Sequence, residues 1–244
     1  MKNYYIITSA IAAVAIILAA LFLGSSYKYK YKSQDRINVV GNAKQDFESD
    51  LIVWSGSFMK KDYDLKTASE ALNSDKVTVL NYLKNKGIKE NEITFDAVQI
   101  NRDFNYITRE DGSSYREFTG YELTQFVTIE SKEIDRIEKV SREITDLISQ
   151  GIELNSSQPS YYYSKLEDLK LELIKKASEN GRQRAENIAS ESKASLGSLR
   201  NADLGIFQIT GQNSNEDYSY GGAFNTTSRA KTANITVRLS YQAK

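Results

Sequence analysis

Four carboxylates, Asp62, Asp64, Asp96 and Asp103, are the side chains with which this chain could most plainly do chemistry. It has 244 residues and contains neither histidine nor cysteine. Two acids that meet in space can divide the work of a hydrolase, one protonating a leaving group while the other activates water or attacks. The missing residue types remove most alternatives. There is no thiolate nucleophile, no disulfide framework, no zinc or haem ligand set of the usual kind, and no side chain whose unperturbed titration falls near neutrality. No nucleophile–base motif surrounds the acids. The expectation is therefore a non-catalytic protein with no metal and no cofactor, and a carboxylate-dependent hydrolase without a recognisable motif stands as the alternative.

A second cluster, "GRQRAENIASESKASLGSLR" from Gly181 to Arg200, sets arginines and acids among small residues on one apparent helix. Its spacing favours packing over binding. Ala177, Gly181, Ala185 and Ala189 recur every four positions, so they stack along one helix face and let a neighbouring element approach closely. Arg182, Arg184, Glu186 and Glu191 fall off that stripe and read as a solvated face. A grip on nucleic acid would need an unopposed basic patch. Beyond position 32 the chain carries 28 basic against 32 acidic residues, so none is expected.

The elements that must position these residues follow from periodicity. At the amino terminus an apolar run from Ile6 through Leu18 to Leu23 spans about 18 residues, roughly 27 Å as helix, enough to cross a bilayer with its flanks. Lys28, Lys30 and Lys32, alternating with tyrosine, form a basic juxtamembrane belt and disfavour cleavage. Residues 1–32 thus read as a membrane anchor, or a signal segment, ahead of a domain at 33–244. Charge alone does not orient it, because Lys2 and the amino group oppose the three lysines beyond the span.

Within the domain, Ile37 and Val39, then Leu51, Val53 and Met59, suggest a hairpin-like pair of strands. Asp64 caps a helix whose apolar face holds Leu65, Ala68, Leu72, Val79 and Leu83, and Gly87 closes it. Leu123, Val127 and Ile129 mark a half-buried antiparallel strand. A second helix, capped by Ser131, carries Ile134, Ile137, Val140, Ile144, Leu147 and Ile148 and ends at Gly151. Both helices finish in Gly-Ile before extended chain. The third and longest runs from about Lys165 to the turn near Gly197. Ala233, Ile235, Val237, Leu239 and Tyr241 alternate through the last strand, which reads as a sheet edge available for pairing between subunits. The polar stretch from Gly211 to Ala230, with Tyr218, Tyr220 and Phe224, is a mobile loop or a contact surface.

This order of parts resembles the SIMPL domain, also called DUF541, over about Arg36 to Tyr241. The likeness rests on "INVVGNA" with "LIVWSGSF", on "TASEALNSDKVTVLNYLKNKGIKENEITF", on "YELTQFVTI", and on "LIKKASENGRQRAENIASESKASLGSL" before the final strands. The family has no agreed catalytic motif, so no catalytic residue carries over. The resemblance implies an α+β domain with an antiparallel-dominated mixed sheet covered by three helices. It also implies an extracytoplasmic place in the bacterial cell envelope, homo-oligomers, envelope protein partners, and a link to envelope or oxidative-stress tolerance.

Overall fold

The computed structural model describes residues 13–25, 27 and 35–244. Its elements run α1 (13–25), β1 (Arg36–Glu48), β2 (Leu51–Asp62), α2 (Leu65–Asn85), β3 (Ile93–Phe95), β4 (Gln99–Thr108), β5 (Ser114–Ser131), α3 (Ile134–Glu143), β6 (Leu154–Ser156), β7 (Ser160–Tyr162), α4 (Leu166–Glu191), β8 (Leu196–Leu204), β9 (Gln208–Gly211) and β10 (Ala230–Ala243). The class is α+β, and the strands named here pair antiparallel. The single sheet expected from the sequence is replaced by two. One holds β1, β10, β8 and β9, and the other holds β2 to β7.

The division falls at Ser49 and Asp50. β1 and β2 are neighbours in sequence but do not form a hairpin. The Ser49 amide donates to the Arg229 carbonyl at 3.0 Å and the Asp50 amide to the Tyr162 carbonyl at 3.0 Å, which carries each strand into its own sheet. The Asp50 carboxylate then accepts from the Ser164 amide at 2.6 Å, pinning the crossing to the chain that leads into α4. Two separate apolar cores result. Trp54, Phe58, Leu72, Leu83, Ile129 and Leu147 belong to the first, and Val39, Leu173, Ala177, Ile235 and Leu239 to the second.

Helices α2 and α3 cover the first sheet. Asp64 caps α2 by accepting from the Thr67 amide at 2.8 Å. Ser131 does not cap α3 in the expected way: Glu133 is the cap residue, and the Ser131 hydroxyl accepts from its amide at 3.1 Å. A 3₁₀ turn, Ile144–Gln150, extends α3 to Gly151. Gly87 and Gly151 both take left-handed backbone, at φ 84° and 79°. The following Ile88 and Ile152 amides bond back to Leu83 and Leu147, and both isoleucines are buried. This paired-glycine ending explains the repeated Gly-Ile. Gly197 does not make the corresponding turn after α4, since Lys193 holds the left-handed position at φ 55°.

In β2 the buried side chains are Ile52, Trp54 and Phe58, while Met59 is exposed. The sequence reading recognised the strand by Leu51, Val53 and Met59, which lie on its other face. Both faces of this strand are apolar, and the bulkier set takes the helix-covered side. Three helices pack on the sheets as expected. The fourth, α1, is 13 residues long, about 20 Å, and its Leu18 and Leu23 are exposed. Among the described residues no helix is long and apolar enough to cross a membrane, so the expected N-terminal membrane helix is not supported. Ile6, Lys28, Lys30 and Lys32 lie outside the described residues.

The second sheet is packed by α4, whose Ala177, Gly181, Ala185 and Ala189 are all buried. Contact is backbone to backbone. A Cβ placed on Gly41 would fall 2.1 Å from the Ala177 carbonyl oxygen and 2.6 Å from the Gly181 nitrogen, atoms that cannot move aside. A Cβ on Gly181 would meet the Leu239 Cδ1, the end of a flexible side chain, at 2.7 Å, and the Gly41 backbone less tightly, its Cα and nitrogen at 3.3 Å. Gly41→Ala is expected to destabilise the protein by about 1–3 kcal/mol or more. Gly181→Ala should cost far less, because the gain in helix propensity of about 1 kcal/mol offsets a smaller clash. Ala185→Leu should also cost about 1–3 kcal/mol. Chemical-denaturation midpoints of the three variants give the order.

Candidate interaction surfaces

A sheet edge exposes unpaired backbone groups that must be covered or used. The second sheet covers two of its three edges. β10, expected as an edge, is central: it pairs with β1 along its whole length and with β8 and β9 on its other side. On the outer side of β1, Arg184 of α4 donates to the Val40 carbonyl at 2.8 Å and the Asn180 side chain accepts from the Asn42 amide at 3.2 Å. Arg184 is thus an edge cover, whereas the sequence placed it on a solvated face with Arg182, which pairs with Glu186 at 2.9 Å. The outer side of β9 is covered by the long loop. The Ile209 amide donates to the Ala223 carbonyl and its carbonyl accepts from the Asn225 amide, each at 2.8 Å. β8 differs from both. Among the described residues no side chain or loop bonds to its outer backbone, and Leu199 and Leu204 are half exposed on it.

The loop between β9 and β10 is knit together from within. The Gln208 amide group bonds Ser219 and Ala223, and Glu216 accepts from the Gly211 amide and from Asn225. Lys231, at the start of β10, is 2 % exposed and donates to the Asn225 carbonyl at 2.7 Å. Burial pushes its ammonium down to about 8, with Glu216 opposing the shift. Outside this scaffold Tyr218, Tyr220 and Phe224 stand exposed, Tyr220 almost completely.

The four carboxylates do not assemble into a common site. The Asp62 side chain accepts from the Asp64 amide at 2.9 Å, and Asp64 is the α2 cap. Asp103 pairs with Lys61 and accepts from the Phe104 amide. Asp96 engages Phe126 and Gln125 through its backbone. The Thr67 backbone bond holds Asp64 below the usual carboxylate range, and the Lys61 bond does the same for Asp103. A general acid at neutral pH needs the opposite shift.

The face of the second sheet opposite α4, uncovered among the described residues, was not legible in the sequence. Residues of β1 and β10 that turn away from α4 form rows with β8: Asn38, Ser240 and Asn201 in one, Val40, Arg238 and Asp203 in the next. With Arg36 they line a cavity of about 350 Å³, and Asp203 and Arg238 also border a second, of about 510 Å³, walled by Ile206, Tyr218 and Tyr220.

Fold and surfaces together define a two-sheet α+β domain with one helix-clad sheet, one half-open sheet and an unpaired edge. The comparison by family is specific. Residues 37–243 match the SIMPL family model, described as a protein of unknown function (DUF541), and the chain belongs to this family. No curated protein matches the chain.

The depressed Lys231 value has a definite consequence for stability. Between about pH 8 and 10.5 the unfolded chain binds more protons at this site than the folded one, so stability rises with pH across that window and the contribution is flat below it. Tyr161, raised to about 12 first by burial and then by its bond to Glu138, acts in the opposite sense only above pH 10. The thermal midpoint is expected to climb from pH 8 to 10, and Lys231→Met should abolish that climb.

Proposed function

We propose that this SIMPL-family chain is a non-catalytic protein of the bacterial cell envelope that works by assembling with copies of itself and with envelope partners. The observation that supports assembly is the β8 edge. The same sheet blunts β1 with two side chains of α4 and closes β9 with an ordered loop, yet among the described residues leaves the outer edge of β8, Leu196–Leu204, without a neighbour. Strand addition across that edge satisfies its backbone and buries Leu199 and Leu204. Tyr218, Tyr220 and Phe224 supply a second contact area on the ordered loop.

Anchoring rests on the sequence: the apolar run from Ile6 to Leu23, followed by Lys28, Lys30 and Lys32, tethers the domain to the membrane with 33–244 on the extracytoplasmic side. The resemblance noted in the sequence is what supports a role in envelope or oxidative-stress tolerance.

In an antiparallel ladder successive residues point their backbone groups alternately inward and outward. Ala202, opposite Leu239, has its amide on the outer side of β8. Ala202→Pro therefore blocks edge pairing without cutting the β10 ladder. By sedimentation the full chain is expected to be an oligomer and the Ala202→Pro chain a smaller species with an unchanged unfolding midpoint. A wild-type monomer at every concentration would defeat the assembly reading.

A further inference from the structure

We propose that Lys231 and Asn225 become joined covalently, by an amide bond between the lysine Nζ and the asparagine Cγ that forms within the folded chain with loss of ammonia. This goes beyond the assembly reading and does not rest on it.

The nucleophile is a lysine held away from water. Lys231 is 2 % exposed and shares a pocket with Phe47, Tyr161, Tyr162, Tyr163, Leu166 and Phe224. Among the described residues its ammonium bonds to Asn225 alone: Nζ donates to the backbone carbonyl at 2.7 Å and reaches the side-chain Oδ1 at 3.4 Å. Such burial disfavours the charged form, which pushes the group down to about 8 and leaves more of the neutral amine that can attack a carbonyl carbon.

The electrophile is held from several sides. Oδ1 of Asn225, where negative charge develops as Nζ adds to Cγ, accepts from the Ser228 amide at 2.8 Å. Nδ2, the leaving nitrogen, donates to the Glu216 carboxylate. That carboxylate is fixed in turn by the Gly211 amide at 3.0 Å, and its charge also acts on Lys231. The Asn225 backbone is anchored to β9 by its amide, which donates to the Ile209 carbonyl at 2.8 Å. An amine, a carboxamide, a donor for the oxyanion and a proton carrier therefore meet in one turn, already positioned.

The step balances without a co-reactant. The Nζ lone pair forms the bond to Cγ while the carbonyl π pair moves onto Oδ1. The proton that Nζ sheds passes through the Glu216 carboxylate to Nδ2; the carbonyl then re-forms, the Cγ–Nδ2 bond breaks, and ammonia leaves with that electron pair. An amine and a primary amide become a secondary amide, with nothing oxidised or reduced. The bond removes a buried charge, whose desolvation is costly, and ties the start of β10 to the loop that covers β9 and carries Tyr218, Tyr220 and Phe224. An amide nitrogen does not titrate, so the climb in thermal midpoint expected of Lys231 belongs to chain in which the bond is still open.

Arg229 lies between the two joined residues, which makes the test direct. The folded full chain, in zwitterionic detergent, is held above pH 8, where the Lys231 amine is mostly neutral; samples are unfolded at intervals, cut with trypsin and weighed by mass spectrometry. Open chain yields 201–229, the dipeptide Ala230–Lys231 and 232–238. Joined chain yields 201–229 attached to 230–238, lighter by one ammonia than the two peptides together, because trypsin does not cut after an acylated lysine. The joined product is expected to accumulate in folded chain and not in chain kept in urea. Glu216→Gln should slow its formation about a hundredfold, the scale of one acid–base group, and Lys231→Arg should abolish it. The climb of the thermal midpoint with pH should fade as the joined fraction grows. Full recovery of Ala230–Lys231 after long incubation would overturn the proposal. So would conversion of Asn225 to aspartate without joining, or joining at an equal rate in urea or in Glu216→Gln.

Discussion

The second sheet depends on one close approach, Gly41 of β1 against Gly181 of α4. With no side chain on either residue the helix lies on the strand at backbone distance, and Ala177 and Ala185 extend that contact along the helix. Dispersion gains at such short range are collectively large, and they need no long side chains to fill the gap. The approach also sets what α4 can reach. Asn180 and Arg184, flanking Gly181, bond to Asn42 and Val40 because the helix sits so near the strand. One pair of glycines thus supports both the packing of the core and the cover over the β1 edge. It is also why α4 occupies only one face of the sheet.

Much of this was readable from the amino acids. The alternation in β10 and the four-residue spacing in α4 each report a buried face, and the residues the pattern marks are buried, although Lys231, Thr232 and Ser240 of β10 are buried as well. The Gly-Ile endings announced two helix termini through the backbone freedom of glycine and the apolar contact that follows it. Other features were hidden for physical reasons. Pattern shows which face of β10 is buried but not how many strands flank it, so a central strand was read as an edge. In β2 both faces are apolar, and periodicity could not choose between Val53 and Trp54. The separation of β1 from β2 lies in long-range hydrogen bonds to Arg229 and Tyr162, which no local spacing encodes.

The surfaces were less legible than the fold. Tyr218, Tyr220 and Phe224 could be picked out as aromatic residues among small ones, but their ordered scaffold depends on Gln208, Glu216 and Lys231, whose roles appear only once the loop is folded against β9. The cavity opposite α4 is built from Asn38, Val40, Asn201, Asp203, Arg238 and Ser240, drawn from opposite ends of the chain. In sequence each is an ordinary outward residue of a strand. Likewise Asp62, Asp64, Asp96 and Asp103 looked like possible partners for one another, yet capping, turn formation and the Lys61 pair engage their groups separately.

The pairing of β1 with β10 also orders events in time. Arg36 lies opposite Gln242, about 200 positions later in the chain, while residues 51–162 contain every strand of the other sheet and its two covering helices. A ribosome adds about 5–20 residues each second. The inserted sheet therefore emerges complete while β1 is still waiting, for roughly ten to forty seconds, for the strand it must pair with. During that interval β1 has neither β10 on one side nor α4 on the other, and its backbone is open along both edges. The terminal sheet can close only after β10 has emerged.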